Sequence, residues 1–583
     1  MSVVKQEDKL LDLTGGENSV GTTIVRARED WGCRKKAYLE RAAKAKPLTA
    51  HGSGKIVDAG RAVALLESII RPGDRVALEG NNQKQAEFLA DCLCRVDASK
   101  VNRLHMVQSV IALPSHCEIF NRGIAEKIDF SFSGPQAVQV TRLVNESKMK
   151  IGEIHTYLEL FARYFVDLTP DIALVVAKLA DGDGNLYTGP NTEDTPVVVE
   201  ATRFKQGIVV AQVEEVVETL PRVDIPGGWV DFVIPTGKPC YIEPLFTRDP
   251  ARLRDVHILI AMMVIKGIYA EYGVRSLNHG IGYATSAIEL LLPTYAERLG
   301  LNRKICTHWA LNPHPTMIPA IESGFVDSIH CFGSEVGTED YVAARSDIFF
   351  VGPDGSLRSN RAFSQAAGHY ATDAFVGATL QIDRYGNSST AVADRIAGFG
   401  GAPNMGCDAP GRRHSSEAWI KAGHESGMRN GLIGDMPRGR KLVVQILETR
   451  GPRGIECFVD RLDAWELMTR AGLKVPPIMI YGDAITQIVT EVGLAHLHKC
   501  ATLQEREAAI KAVAGDTDLG KRAKPEETAD LRRRRVVQMP EDLGIDVSEA
   551  NTTLLAAHSM DDLVEWSGGL YKVPEQFREG GNS

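Results

Sequence analysis

Apolar residues recur at helical spacing over residues 57–70, and the helix breaker Arg71-Pro-Gly-Asp74 follows. Arg75-Val-Ala-Leu78 is then an apolar run of strand length, closed by Glu79-Gly-Asn-Asn82. Helical spacing returns over residues 83–93. Residues 172–178, 207–213 and 229–234 are rich in β-branched side chains and read as further strands. The longest apolar run near mid-chain, residues 258–265, ends at Lys266. It is far shorter than the ~20 residues that cross a bilayer, so it reads as a buried helix or strand. Strands alternating with helices predict an α/β fold whose mostly parallel sheets are covered by helices.

The pattern occurs twice. Glu118-Ile-Phe-Asn-Arg-Gly-Ile-Ala-Glu-Lys-Ile-Asp129 leads into Phe130-Ser-Phe-Ser-Gly134, and Ile318-Pro-Ala-Ile-Glu-Ser-Gly-Phe-Val-Asp-Ser-Ile329 leads into His330-Cys-Phe-Gly333. Each reads as a helix, a glycine stop, and a strand running into a glycine loop. A strand and loop precede each, at Val76–Asn82 and Ser276–Gly282. An Asp-containing Gly-Asn turn follows each, at Asp181-Gly-Asp-Gly-Asn185 and Asp383-Arg-Tyr-Gly-Asn387. Three coincidences in the same order predict two tandem open α/β domains of similar topology. The expected division is a polar N-terminal arm (1–50), a first domain (51–250), a second (251–514), and a charged linker with a C-terminal tail (515–583). Arg532-Arg-Arg-Arg535 in the last segment reads as a solvated face, with contact to an acidic partner as the sharper alternative.

Composition narrows the function classes. Of 583 residues, 66 are Lys or Arg and 75 are Asp or Glu, a net charge of −9. That argues against a nucleic-acid binder, which needs a basic face for the phosphates. Ten scattered cysteines include no C-x-x-C pair and read as reduced core residues. The polar N-terminus shows no apolar signal core. A cytoplasmic protein without a membrane span is expected.

The chemistry-bearing features are glycine turns where strands should end: Glu79-Gly-Asn-Asn82, His279-Gly-Ile-Gly282 and Gly398-Phe-Gly-Gly-Ala-Pro-Asn404. In open α/β sheets ligands bind at the carboxyl ends of strands. Bare glycine backbone lets N–H groups point at an anion or oxyanion. His51-Gly-Ser-Gly-Lys55 is not a phosphate loop, because Thr49 stands where the first glycine belongs and Ile56 follows the lysine. No dinucleotide fingerprint and no G-x-S-x-G elbow is complete. His308, His314 and His330 lie near the second-half loops without a partner at metal-ligand spacing, so no metal is expected.

Asn278-His-Gly-Ile-Gly282, the stretch Phe363–Gly377 with Ala378-Thr-Leu-Gln-Ile-Asp-Arg-Tyr-Gly-Asn387, and Gly398-Phe-Gly-Gly-Ala-Pro403 follow the ordered motifs of class I coenzyme A transferases, which this chain resembles. Within that superfamily it is similar to the α subunits of malonate decarboxylases. Leu78-Glu-Gly-Asn-Asn-Gln-Lys-Gln85, Tyr187-Thr-Gly-Pro-Asn-Thr-Glu-Asp-Thr-Pro196, Tyr241-Ile-Glu-Pro-Leu-Phe-Thr-Arg-Asp-Pro250 and Leu311-Asn-Pro-His-Pro-Thr316 carry that likeness. The resemblance implies transfer of an acyl-carrier-protein thiol from acetyl to malonate, releasing acetate. It further implies a carrier bearing a phosphoribosyl-dephospho-coenzyme A arm, malonyl-S-carrier decarboxylase subunits as partners, and no cofactor bound covalently to this chain.

One departure matters. The transferases acylate a glutamate in a Ser-Glu-Asn-Gly turn, which by motif order falls in Thr307–His314, where this chain has none. Malonate is therefore expected to attack the acetyl thioester directly, giving an acetyl–malonyl mixed anhydride. The amides of Gly400, Gly401 and Ala402 are the expected oxyanion hole. Asn312 and His314 would orient the acyl group, and Gly280 and Gly282 would admit the thioester arm. Asn81, Asn82 and Asn404 are further binding candidates. A planar arginine fork suits malonate, and Arg358, Arg361, Arg412 and Arg413 are available. Glu79 is either a nucleophile or a carboxylate capping the next helix. Two other readings stay open at this point: a general short-chain carboxylate coenzyme A transferase, and a non-catalytic carboxylate-binding sensor.

Overall fold

The computed structural model describes residues 34–575 apart from 51–53, 82–83, 191, 240, 243–248, 334, 354, 359, 408–414 and 428–437. Asn82, Arg412 and Arg413 lie outside the described residues. The first sheet has eight strands, of which seven are parallel: β1 (Arg75–Leu78), β2 (Leu104–Val110), β3 (Ala125–Phe132), β4 (Lys150–Ile154), β5 (Ile172–Ala180), β6 (Ile208–Val216) and β7 (Phe232–Pro235); the short strand Leu186–Tyr187 pairs antiparallel with the end of β5. Their order across the sheet is β4-β3-β2-β1-β5-β6-β7. The second sheet holds β8 (Ser276–His279), β9 (His308–Ala310), β10 (Ser328–His330), β11 (Ala374–Ala378), β12 (Leu442–Ile446), β13 (Gln487–Val489), β14 (Leu494–His496) and β15 (Val537–Gln538), in the order β10-β9-β8-β11-β12-β13-β14-β15. β14 alone runs against the others in this path, pairing antiparallel with β13 and with β15.

Leaving out the edge strand β4, both sheets are wound alike: third, second, first, then the next three. The repeats seen in the sequence fall on equivalent strands, β3 with β10, β1 with β8, and the Gly-Asn turns after β5 and β11. The winding reverses direction at β1 and at β8, and Glu79–Asn81 and His279–Gly282 follow those strands. These are the topological switch points where open sheets open a crevice. Both sheets are buried on both faces. Along β5, Ile172, Leu174 and Val176 enter one core while Ala173, Val175 and Ala177 enter another. That is the period-two alternation of a sheet covered by helices on each side. The apolar run at 258–265 lies in the buried helix Asp255–Val264 and the turns that continue it. Among the described residues no helix is long and apolar enough to cross a membrane.

The expected arm and linker are both packed onto these sheets where they are described. Residues 34–45 are helical; the buried Arg41 pairs with Asp74 just before β1, and Tyr38 donates to Asp231 at 2.7 Å. At the other end, Leu531, Val536 and Val537 enter a core beside the second sheet and β15 pairs with β14. The charge of this segment lies on its solvent face, where Arg532 forks onto Glu541 and Asp542, each at 2.7 Å. Local charge density reads as linker because it does not show the few apolar residues that anchor it.

In the middle of β3, Asp129 joins His105 of β2 (2.6 Å) and His155 just past β4 (2.9 Å). Burial opposes charge on His155, but Asp129 and the Glu159 carboxylate 3.6 Å away outweigh it and raise His155 to about 9. Burial would also raise Asp129, yet the two histidines hold it below the usual carboxylate range. A raised histidine stabilises fully below its unfolded value, about 6.5, and loses that contribution as pH rises through its folded value. The depressed Asp129 contributes above about 4 and loses its contribution only as pH falls. Stability is therefore expected to fall by up to about 3 kcal/mol between pH 6.5 and 9. Urea midpoints across that range should show it, and His155→Asn should flatten the slope.

Candidate active site

Two groups of side chains form at the carboxyl ends of the strands, and helix α1 (Arg361–Ala371) packs against both. The first lies where the halves meet. Gly398 bridges to Phe132 at the end of β3. Its φ is +76°, and a Cβ there would stand 2.5 Å from the Ser131 carbonyl, so only glycine permits this approach. The Gly400 N–H donates to that same Ser131 carbonyl at 2.9 Å, and the Gly400 carbonyl accepts from Tyr157 N–H at 3.2 Å. Gly400 is thus spent as an oxyanion donor. Ala402 N–H reaches back to Phe399 at 3.3 Å. Among the described residues no backbone carbonyl takes the Gly401 N–H, so of the three expected amides Gly401 keeps its donor. Asn404 is an anchor: its side chain donates to the Gln365 carbonyl at 3.0 Å, and its own carbonyl accepts from His369 at 2.6 Å.

Arg361 is fully buried. Its Nη2 lies 2.7 Å from Glu193 and its Nε 3.0 Å from Asp194, both from the first half. Its guanidinium also stacks 4.8 Å from the Tyr157 ring centre. Expected as a partner for malonate, Arg361 already has two protein carboxylates, which is why it can be buried at all. Arg358 is half-buried, its head group folded over Gly352. Glu79 is interior: it accepts from Val176 N–H (2.8 Å) and Thr195 hydroxyl (2.6 Å) and pairs with Lys84 at 3.2 Å. Burial pushes its carboxyl up, opposed by Lys84. It ties β1 to β5 and to helix Thr195–Phe204. Asn81 is also buried and closes the turn, its side chain accepting Lys84 N–H at 2.7 Å.

The second group surrounds the end of β8. Gly280 faces Gly377 of β11, where a Cβ would stand 3.3 Å from the Gly377 Cα. Gly282 is the N-cap of helix α2 (Tyr283–Leu291). On this helix Glu289 is completely buried. Its Oε1 lies 3.0 Å from His279 Nδ1 and 3.0 Å from His314 Nδ1, and Thr316 donates to Oε2. Burial would raise Glu289, but the two histidines outweigh it and hold the carboxyl far below its usual range. Tyr269 hydroxyl meets the other edge of His279 at 2.6 Å. Asn312 stands beside His314, and among the described residues its buried Oδ1 has no hydrogen-bond partner. A buried amide left unsatisfied marks a place for a ligand or for the flipped amide, whose N–H would then face it.

The structure thus gathers Gly280, Gly282, Asn312 and His314 at one switch point, and Gly400, Gly401, Ala402 and Asn404 along α1. His308 is exposed, and His330 packs on Phe363 with ring centres 5.4 Å apart. Sequence reading missed Glu289, Glu193, Asp194, Tyr157 and Gln365. Glu289 had one visible signal, as the only charged residue in the apolar stretch Tyr283–Leu291. A lone charge there must find buried partners.

Residues 30–580 match the family described as "Malonate decarboxylase, alpha subunit, transporter". The chain is 61% identical over 523 residues to the acetyl-S-ACP:malonate ACP transferase of Malonomonas rubra, covering 90% of this chain and 94% of that protein. It is similar to the crystal structure of a Pseudomonas malonate decarboxylase hetero-tetramer in complex with malonate, at 54% identity and a TM-score of 0.90, covering 94% of this chain and 99% of that one. An acyl-CoA transferase of Escherichia coli O157:H7 shares the fold at 14% identity and a TM-score of 0.50, covering 78% of this chain and 89% of that one.

Proposed function

This chain belongs to the malonate decarboxylase α-subunit family, and we infer that it is an acetyl-S-ACP:malonate ACP transferase on a coenzyme A transferase fold. It converts acetyl-S-carrier and malonate into malonyl-S-carrier and acetate. The 61% identity to a transferase of that activity, over 90% of the chain, carries the reading.

The chemistry runs through two acyl transfers. A malonate carboxylate oxygen attacks the acetyl thioester carbonyl, the C–S bond breaks, and the carrier thiolate leaves an acetyl–malonyl anhydride. The thiolate then attacks the malonyl carbonyl, the C–O bond breaks, and acetate departs. Each step passes through a tetrahedral oxyanion. One well-placed donor contributes about 3–4 kcal/mol, and holding the reactants in line about 7–11 kcal/mol. Gly401 N–H is the donor we assign to one oxyanion. Glu289 fixes His314 by its Nδ1 edge, and we assign this ring to orienting the acyl oxygen or the departing sulfur. The Asn312 amide completes this donor set. Gly280 and Gly282 leave a bare path at the opening of α2, where first-turn N–H groups favour an anion. Glu79, sealed behind Lys84 and Thr195, supports a route without an acylated enzyme carboxylate.

The carrier's thioester sits in this scheme on a phosphoribosyl-dephospho-coenzyme A arm, and separate decarboxylase subunits take the malonyl product. The hetero-tetramer of the Pseudomonas relative supports such an assembly. Eight described cysteines are free and seven of them buried, which fits a reducing cytoplasm. The test mixes acetyl-labelled carrier, or its dephospho-coenzyme A analogue, with malonate and the full chain. Labelled acetate should appear in step with malonyl thioester, and hydroxylamine added before malonate should trap no acyl-enzyme. Exchange with succinate or acetoacetate but not malonate would instead identify a general coenzyme A transferase. Binding without turnover would identify a sensor.

A further inference from the structure

We propose that Arg361 is a positioning residue that sets the oxyanion loop by locking it to the first half of the chain through Glu193, Asp194 and Tyr157. This rests on the reading of Gly401 as an oxyanion donor. Arg361 lies on α1 but spends its charge on carboxylates 168 and 167 residues earlier, at 2.7 and 3.0 Å. The fit is close on the carboxylate side. Glu193 adopts φ +37° and lies so near Gly333 that a Cβ there would fall 2.1 Å from Glu193 Oε1. On its other side the guanidinium lies over the Tyr157 ring, and Tyr157 N–H holds the Gly400 carbonyl. Gly400 has φ +60°, and a Cβ there would meet that ring at 3.5 Å. One turn along α1 from Arg361, Gln365 takes Asn404, at the far end of the loop. A Cβ on Gly401 would lie 2.8 Å from Gln365 Oε1. The loop therefore touches the first half at Ser131 and Tyr157, and touches α1 at Gln365 and His369. Arg361 is the ion pair that holds α1 against the first half. If the halves separate even slightly, Gly400 and α1 are pulled apart and the Gly401 N–H between them loses its aim. Misplacement on the order of 1 Å costs about 100-fold in rate.

Structural and positioning roles are separable here because the buried charge can be balanced without restoring the clamp. Arg361→Met alone strands two buried carboxylates and should lower the melting temperature sharply. The triple variant Arg361→Met, Glu193→Gln, Asp194→Asn removes that imbalance and should recover most of the melting temperature. In the full chain with its carrier, kcat of the triple variant should stay about 100-fold down, with KM for malonate within about threefold. Arg361→Lys, which keeps the charge but lacks the planar fork, should fall between wild type and the triple variant. If the triple variant regains full kcat along with its stability, Arg361 is merely structural and the proposal fails. Gly401→Ala separates the two levels. Loss of kcat there with a fully active triple variant overturns the clamp alone. An unchanged kcat in Gly401→Ala overturns the oxyanion reading and the clamp with it.

Discussion

Glu289→Gln is expected to lower kcat by about 10²–10³-fold while leaving the outline of the site intact. The carboxylate is the counter-charge of two histidines at once, each 3.0 Å from Oε1. An amide oxygen can still accept their N–H groups, so the rings keep their places. It carries no charge, so the buried negative charge beside His314 is lost, and with it the electrostatic setting in which that ring meets the acyl oxygen or sulfur. Stability should also suffer, because breaking a buried ion pair costs about 3–5 kcal/mol. Rates must therefore be referred to the folded fraction, followed by circular dichroism at the assay temperature. His314→Gln should reproduce the kinetic loss with a smaller loss of stability, since Glu289 keeps His279 and Thr316. A Glu289→Gln enzyme within threefold of wild type would remove the Glu289–His314 pair from the mechanism.

Gly401→Ala is expected to cost about 10²–10³-fold in kcat, with little change in KM for malonate. The added methyl meets Gln365 Oε1 at 2.8 Å, so the loop or the Gln365 side chain must shift by several tenths of an ångström. An oxyanion donor tolerates such a shift poorly, because its contribution depends on where charge develops in the transition state. Gly73→Ala is the control. Gly73 has φ +81° with nothing within 4 Å of the added Cβ, so it should cost about 1 kcal/mol of stability and leave kcat unchanged. Equal kcat in the two variants would exclude the loop from the chemistry.

Much of the fold was legible because it is written in local periodicity. Two strand–loop–helix units with matching glycine stops could be aligned by eye, and they fall on strands in equivalent places in the two sheets. The glycine loops could be found because each breaks a strand pattern, and Gly398–Asn404 lies against the first half. The roles within the site were less legible. Whether a loop N–H is available depends on which carbonyl lies opposite, and the carbonyl facing Gly400 belongs to Ser131, in the other half of the chain. The partners of Arg361 are as distant, so a fully buried ion pair looked like a ligand-binding arginine. Glu79 looked like a loop carboxylate for the same reason: Thr195 and Val176, which surround it, are far away in sequence. Pattern shows where the backbone turns; it does not show which charges meet after it has turned.

The 168-residue separation between Glu193 and Arg361 also orders events during synthesis. The first sheet is complete by Pro235, well before the ribosome reaches Arg361. Until then Glu193 and Asp194, in the turn before helix Thr195–Phe204, lack the cation that Arg361 brings, and burying them would cost several kcal/mol each. The nascent first half must therefore keep that corner hydrated and open, and the second half closes it on arrival. Domains generally fold in the order they are made; here the last step of the first half waits for the second.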